Sequence, residues 1–306
     1  MLAFIAPGQG AQTHGMLAPW ITDPAAKLLL SHWSHEIDLD LVRLGTTADS
    51  DEIKDTANAQ PLIVAAGLLG ARALGSARLA IVAGHSVGEI TAAAIAGVID
   101  DVDAMKLVRA RGIEMAKAAA LKPAGMAAVL GGDREVVLRA ISDLGLVAAN
   151  DNGGGQIVAA GDLDALAQLA PEGARVRALA VAGAFHTSYM QPAVAPLQEI
   201  AAKISVHAAK CPVISNKDGA VLHDGREILD RIVAQISSPV RWDLCITTLA
   251  SHVSGAVEVP PAGTLVGLLK RAVPIIETFA LKTTEDVTLA KEFIVRHKDE
   301  QNDEDK

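Results

Sequence analysis

A short apolar run, residues 79–83, leads into Gly84-His85-Ser86-Val87-Gly88 and is followed by a stretch rich in small residues, 89–96. An apolar run bounded by glycine reads as a buried strand, and the small residues from Glu89 onward read as a helix whose N-terminus favours developing negative charge. The G-x-S-x-G between them fits a sharp strand-to-helix turn. Its glycines spare the turn two Cβ atoms, and its serine is left with an exposed hydroxyl beside the amide of Val87. A strand passing directly into a helix commits the chain to an α/β arrangement.

Other runs extend that pattern. Residues 2–6, 212–215 and 256–259 read as further core strands, none repeating another, so the expectation is an α/β-hydrolase-like core with a mostly parallel sheet rather than a solenoid. The middle of the chain is organised differently. It reads as strand 126–130, helix 133–144, strands 147–150 and 156–160, helix 163–169 and strand 175–181. This βαββαβ order predicts an inserted ferredoxin-like unit over 123–182, bounded by Pro123 and Gly125 on one side and Gly183 on the other. Residues 1–122 and 183–290 would then form the discontinuous core. The segment 291–306, which carries Glu292, Asp299, Glu300, Asp303, Glu304 and Asp305, reads as a frayed polar tail.

Composition excludes several classes of protein. Half of the 306 residues are hydrophobic and 21% are charged, enough for one large core with a smaller appended unit and too apolar for disorder. A formal charge of −9 argues against nucleic-acid binding, which depends on basic residues that neutralise phosphates. The apolar stretches are broken well short of the roughly 20 residues of a membrane span. The first residues have no basic region ahead of their apolar run, so they do not read as a signal peptide, and a cytoplasmic location is expected. Two cysteines, Cys211 and Cys245, are too few for a disulfide framework and fit a reducing compartment.

A serine hydroxyl is a poor nucleophile at neutral pH, so Ser86 needs a base. His186, in Ala184-Phe185-His186-Thr187, sits where the inserted unit returns to the core, a place where clefts form. His85 adjoins the serine but is expected to point away from it. His32 and His35 form an H-x-x-H without the glutamate of metalloprotease spacing and read as a solvated helix face. Arg111 falls on an apolar helical stripe with Leu107, Val108 and Met115, whereas Arg109 falls off it. An inward arginine keeps its charge and needs an acid. That acid could be an internal Asp or Glu, or the carboxylate of a substrate.

These residues carry a resemblance to a known family. Pro7-Gly8-Gln9-Gly10-Ala11-Gln12 resembles the PGQGSQ loop of malonyl-CoA:acyl carrier protein transacylases, a family similar to the acyltransferase domains of polyketide synthases. Residues 84–89 resemble its GHSLGE elbow, Arg111-Gly112-Ile113-Glu114-Met115 its R-G-x-x-M helix, and the segment around His186 its AFHS-type stretch. Gln235 with Ser238-Pro239-Val240-Arg241-Trp242 resembles its N-P-V-x-W stretch. The matches run in order from residue 7 to about residue 271.

The resemblance implies Ser86 as nucleophile, His186 as base and the backbone carbonyl of Gln235 as its orienting group. It also implies an oxyanion hole from the amides of Gln9 and Val87, and Arg111 as the clamp on a malonyl carboxylate. Gln60, Met115, Asn152 and Phe185 would line the pocket, the last favouring malonyl over branched analogues. Malonyl-CoA and an acyl carrier protein become the expected partners, with no metal or redox cofactor, and a monomer is the default. Such carriers are acidic, as this chain is, so docking needs a local basic patch, for which Lys270 and Arg271 are candidates.

Two departures stand out. Glu258-Val259-Pro260-Pro261-Ala262-Gly263 replaces E-V-G-P-G, and Asn152-Gly153-Gly154-Gly155-Gln156 replaces an S-P-G turn and reads as a hairpin. The rival readings are a serine thioesterase or esterase, for which Asp162 and Asp164 lie in the interval where a triad acid would fall, and a catalytically silent scaffold subunit.

Overall fold

The computed structural model describes residues 1–299. In chain order its strands are β1 (Leu2–Ala6), β2 (Ile81–Gly84), β3 (Gly125–Gly131), β4 (Val147–Asp151), β5 (Gln156–Gly161), β6 (Ala174–Ala178), β7 (Val213–Ile214), β8 (Val221–Leu222), β9 (Val240–Arg241), β10 (Gly255–Glu258) and β11 (Glu277–Ala280). The helices are α1 (Pro24–Glu36), α2 (Leu41–Thr46), α3 (Thr56–Leu74), α4 (Gly88–Ile95), α5 (Asp101–Leu121), α6 (Arg134–Asp143), α7 (Leu163–Gln168), α8 (Gln191–Ala201), α9 (Gly225–Ala234), α10 (Trp242–His252), α11 (Thr264–Ala272) and α12 (Val287–Asp299).

The larger sheet has the order β11-β10-β1-β2-β7-β8 and is parallel except for the β7–β8 pair at one edge. Its central strand explains the apolar run at the start of the chain. Leu2, Phe4 and Ala6 join one core cluster while Ala3 and Ile5 join another, so β1 is buried on both faces and cannot alternate with polar residues. The second sheet has the order β6-β3-β5-β4-β9. Its first four strands are antiparallel neighbours, and the hairpin joining β4 to β5 turns through Gly153, Gly154 and Gly155, all at positive φ. One face of this sheet closes a small core with Val137 and Ile141 of α6; the other contributes Met126, Ala149, Val158 and Ala160 to the main cluster.

Two expectations are corrected. The small sheet is not confined to 123–182, because β9 adds to it in parallel with β4, carrying the Ser238–Trp242 stretch across from the other sheet. The tail is not frayed from residue 291: α12 continues to Asp299, with Ala290, Phe293, Ile294 and His297 buried. Those four positions follow helical spacing, an apolar stripe hidden under a charge-rich composition. Residues 300–306 lie outside the described residues. The Pro260-Pro261 segment packs Pro260 against Gly70 of α3, where a Cβ would come within 2.2 Å of its ring. Glu258 then caps α11, accepting the amides of Gly263, Leu265 and Val266 at 2.9, 3.0 and 2.9 Å. Among the described residues no helix is long and apolar enough to cross a membrane.

The α12 packing is testable. Phe293, 4% exposed and 5.8 Å from the Phe279 ring between centroids, is a core residue. Its replacement by alanine is expected to cost about 3 to 5 kcal/mol in denaturant unfolding; a frayed tail would lose nothing.

Candidate active site

The turn after β2 is held by two steric constraints. A Cβ on Gly84 would lie 2.0 Å from the carbonyl carbon of Gly88, and one on Gly88 would lie 2.2 Å from the carbonyl oxygen of Ala6. No other residue fits at either position. Between them Ser86 takes φ 53°, in the left-handed region, which turns its hydroxyl out of the sheet edge. His186 has φ 62° at the corresponding bend before α8. Strain of this kind costs roughly 1–3 kcal/mol per residue and persists only where the surroundings fix it.

Ser86 Oγ lies 2.8 Å from His186 Nε2, and His186 Nδ1 lies 3.0 Å from the backbone carbonyl of Gln235. A carbonyl oxygen can only accept, so Nδ1 carries the proton and Nε2 is free to receive that of the serine. Burial, with the nearby Arg111 charge acting in the same direction, lowers the imidazole pKa to about 3. His186 is therefore a neutral base throughout the physiological range.

Arg111 comes from α5 and is 1% exposed. Its guanidinium donates to Gln60 Oε1 at 2.7 Å, to Ser86 Oγ at 3.2 Å and to Gln235 Oε1 at 3.2 Å, all uncharged acceptors. Nε has no partner among the described residues. Burial draws its pKa down to about 10, which still leaves it charged at neutral pH. The acid that bears on it electrostatically is Glu89, whose carboxyl burial pushes up to about 8, so at neutral pH it is mostly protonated. Among the described residues the internal ion pair left open by the sequence is absent.

The approach of α3 and α5 that brings Gln60 to Arg111 depends on Gly112, where a Cβ would sit 2.9 Å from the Thr56 carbonyl. Pro61 of α3 cannot donate to the carbonyl of Ala57, four residues back; Arg109 Nη1 satisfies that oxygen at 2.8 Å.

Ser86, His186 and Arg111 line one cavity of about 270 Å³ between the two sheets. The structure brings Gln9, Gln60, Ser86, Arg111, Met115, Asn152, Phe185 and His186 to its wall. The Gln9 side chain bonds Thr56 and Gln60, and the Val87 amide follows Ser86 directly at the start of α4. Met126, Ala128, Asn150 and Val158 of the smaller sheet form the opposite wall, and Leu265 and Leu268 of α11 close one side. Lys270 and Arg271 are exposed on that same helix. Pro260 stays out of the cavity.

One expectation about the histidines is overturned. His85 does not turn away but also lines the cavity, held by Asn152 Oδ1 at 2.8 Å from Nε2. The hairpin that carries Asn152 reaches over the elbow, which the local strand pattern does not reveal. His32 and His35 are exposed on α1, and no metal-binding cluster occurs among the described residues. Asp162 and Asp164 are exposed at the start of α7, where Asp162 accepts the amides of Asp164 and Ala165.

Sequence reasoning missed Asn216, which is fully buried and bonds the elbow, and the neutral Glu89 beside it. A signal existed for the first. Asn216 lies just past the carboxyl end of a core strand, where the functional groups of open parallel sheets gather.

Comparison with known proteins bears on this geometry directly. Residues 3–300 match the acyl transferase domain family. A malonyl CoA-acyl carrier protein transacylase of Mycobacterium tuberculosis is 52% identical over 296 residues, covering 94% of this chain and 98% of the relative. The chain belongs to the malonyl-CoA–acyl carrier protein transacylases. The namesake of Escherichia coli K12 is 33% identical over 304 residues, covering 95% and 98%. The crystal structure of the M. tuberculosis enzyme superimposes with a TM-score of 0.91, covering 94% of this chain and 98% of that one. A malonyl-transacylase solved in complex with its type II polyketide acyl-carrier protein gives 0.88 at 30% identity, covering 95% and 99%.

The histidine environment sets a pH expectation. The acid limb of kcat/KM for acylation, which reports the free enzyme, should lie well below the ~6.5 of an ordinary histidine. In pH-jump stopped-flow measurements the plateau should persist at about pH 5; a half-fall near 6.5 would contradict a base held neutral by burial and by Arg111.

Proposed function

We propose that this chain carries a malonyl group from coenzyme A to the phosphopantetheine thiol of an acyl carrier protein by way of a malonyl ester on Ser86, supplying units for fatty acid or polyketide synthesis. The observation that carries the reading is Arg111: a buried cation whose hydrogen-bond partners among the described residues are all neutral, 3.2 Å from the candidate nucleophile. A cation left without an acid, in the cavity that also holds a serine and its base, calls for a ligand that is both an anion and an acyl donor.

In the proposed reaction the malonyl carboxylate sits on Arg111. Ser86 Oγ attacks the thioester carbonyl carbon while His186 Nε2 takes the proton. The amides of Gln9 and Val87 receive the oxyanion, a contact worth about 3 to 4 kcal/mol per donor. The C–S bond then breaks, the CoA sulfur leaves with the proton from His186, and the ester remains. The carrier thiol repeats the sequence in the opposite direction. An acyl group moves between two sulfurs through an oxygen, so the scheme needs no metal or redox cofactor. We expect the reaction in the cytoplasm, where Cys211 and Cys245 stay reduced.

The sheet orders support the finer description of the fold. A four-stranded antiparallel sheet with its strands in the order fourth, first, third, second is what a ferredoxin-like unit over 123–182 requires. The parallel sheet with its serine turn supports an α/β-hydrolase-like body over 1–122 and 183–290. In this reading Lys270 and Arg271, exposed beside the cavity on α11, meet the acidic carrier.

The test is the intact mass and peptide map of protein incubated with malonyl-CoA. One malonyl group on Ser86, discharged by carrier protein and absent from Ser86→Ala, is expected; carrier-independent release of CoA would indicate a thioesterase instead. Arg111→Ala should lower kcat/KM for malonyl-CoA by roughly 10³-fold and leave acetyl transfer far less affected, and equal losses would make the arginine structural. Reversing the charges of Lys270 and Arg271 together should slow discharge to the carrier and leave formation of the malonyl ester unchanged.

A further inference from the structure

Ser86, His186 and Arg111 approach the cavity from three separate elements, yet each is tied to Asn216 directly or through one intermediary. Asn216 Oδ1 accepts the Ser86 amide at 2.7 Å, and its Nδ2 donates to the Gly84 carbonyl at 2.7 Å. These two groups flank His85 in the chain. They are what a neighbouring parallel strand would bond in its next rung, receiving one N–H and giving another to the residues on either side of its partner. The backbone pairing of β2 with β7 stops at Ala83 and Ile214, because the elbow bends away. The side-chain amide of Asn216 thus continues the ladder past the end of the sheet and fixes the backbone on both sides of the turn that holds Ser86 in its left-handed conformation.

The same Oδ1 accepts Gln235 Nε2 at 3.2 Å. Gln235 in turn offers its backbone oxygen to His186 and its side-chain oxygen to Arg111. Asn216 is itself anchored: its amide donates to Glu89 Oε1 at 2.8 Å, and its carbonyl accepts the Arg241 amide at 2.7 Å. Every polar atom of this fully buried residue has a partner, and its neighbours come from α4, α10 and the turn after α9.

We infer that Asn216 is the positioning residue of the site, setting the mutual geometry of nucleophile, base and guanidinium from one amide. The inference rests on the acyl-transfer reading for its substrate. Its core, that the reactivity of Ser86 depends on Asn216, can be measured without that substrate. A fluorophosphonate probe serves, since Ser86 Oγ bonds to phosphorus as fluoride leaves and His186 takes the proton.

Asn216→Ala and Asn216→Asp are compared with the parent protein, using malonyl-CoA and the probe. In Asn216→Ala, kcat for malonylation should fall about 100-fold with KM changed less than about threefold, and the rate of phosphonylation should fall in parallel. The aspartate variant keeps the shape and the acceptor, but only its protonated form can donate to Gly84. The titratable and charged groups around it are Glu89 on α4, Cys245 on α10, and Arg111 and His186 across Gln235. It should therefore show a basic limb beyond any that Glu89 gives the parent, losing phosphonylation as pH rises and recovering it as pH falls.

A folded Asn216→Ala protein that is phosphonylated within about threefold of the parent rate would overturn the inference. Should the alanine variant not fold, an Asn216→Asp pH profile identical to that of the parent would overturn it equally. If the parent takes the phosphonate on Ser86 but never malonyl, the acyl-transfer reading fails while the positioning role is still judged by the probe. A parent that takes neither group overturns both.

Discussion

The site is organised around a cation that has no anion among the described residues. Taking a guanidinium out of water costs several kcal/mol even after relaxation, and proteins usually recover that cost with a carboxylate. Here Arg111 is surrounded by the amide oxygens of Gln60 and Gln235 and by the hydroxyl of Ser86. Dipoles offset only part of the penalty. The rest remains as a favourable interaction for whichever anion enters the cavity, and the contact with Ser86 Oγ sets how far from that hydroxyl the anion will sit. Tertiary structure keeps the cation in place: Gly112 admits α3 against α5, and the smaller sheet forms the facing wall of the cavity, leaving Arg111 buried.

A second constraint is the crossing of the elbow over β1. Gly88 passes so close to the Ala6 carbonyl that the turn can take only one path. That path gives Ser86 its left-handed backbone and starts α4 two residues later, where the amides of Gly88 and Glu89 donate back to the carbonyls of His85 and Ser86. His186 meets the serine from an equally strained bend, and its amide is held by the Ile236 carbonyl. Ser86 and His186 are thus both placed by backbone that has few alternatives, which limits how far their side chains can drift apart.

Much of this was legible in the sequence because short-range rules govern it. The strand, G-x-S-x-G and small-residue helix around Ser86 appear where steric logic puts them, and the strands read over 126–181 come together in one sheet. Arg111 could be found because one charge interrupted an apolar stripe. What escaped is set by distant contacts. A two-residue strand such as β9 carries no pattern of its own and exists because β4 offers it an edge. The stripe of α12 is masked by its charged neighbours until Phe293 is seen against Phe279. His85 turns to the cavity only because Asn152 arrives from 67 residues away. Asn216 is 130 residues from the elbow it supports, and a single polar residue after a short strand gives little warning.

The choice of a carbonyl rather than a carboxylate behind His186 follows from the same electrostatics. In a hydrolase triad the acid stabilises the imidazolium that forms during attack. Placed in this cavity, a carboxylate would lie close to Arg111 and would neutralise the charge that the proposed substrate must meet. Gln235 avoids the conflict by presenting two neutral acceptors, its backbone oxygen to the imidazole and its side-chain oxygen to the guanidinium. The nearby acid, Glu89, is consistent with this logic: burial holds it mostly protonated at neutral pH. The imidazolium therefore lacks a built-in counter-ion until a bound carboxylate supplies negative charge on Arg111. In the proposed reaction the substrate thus contributes to stabilising the transition state that consumes it, and an acyl group without a carboxylate forgoes both binding energy and that assistance.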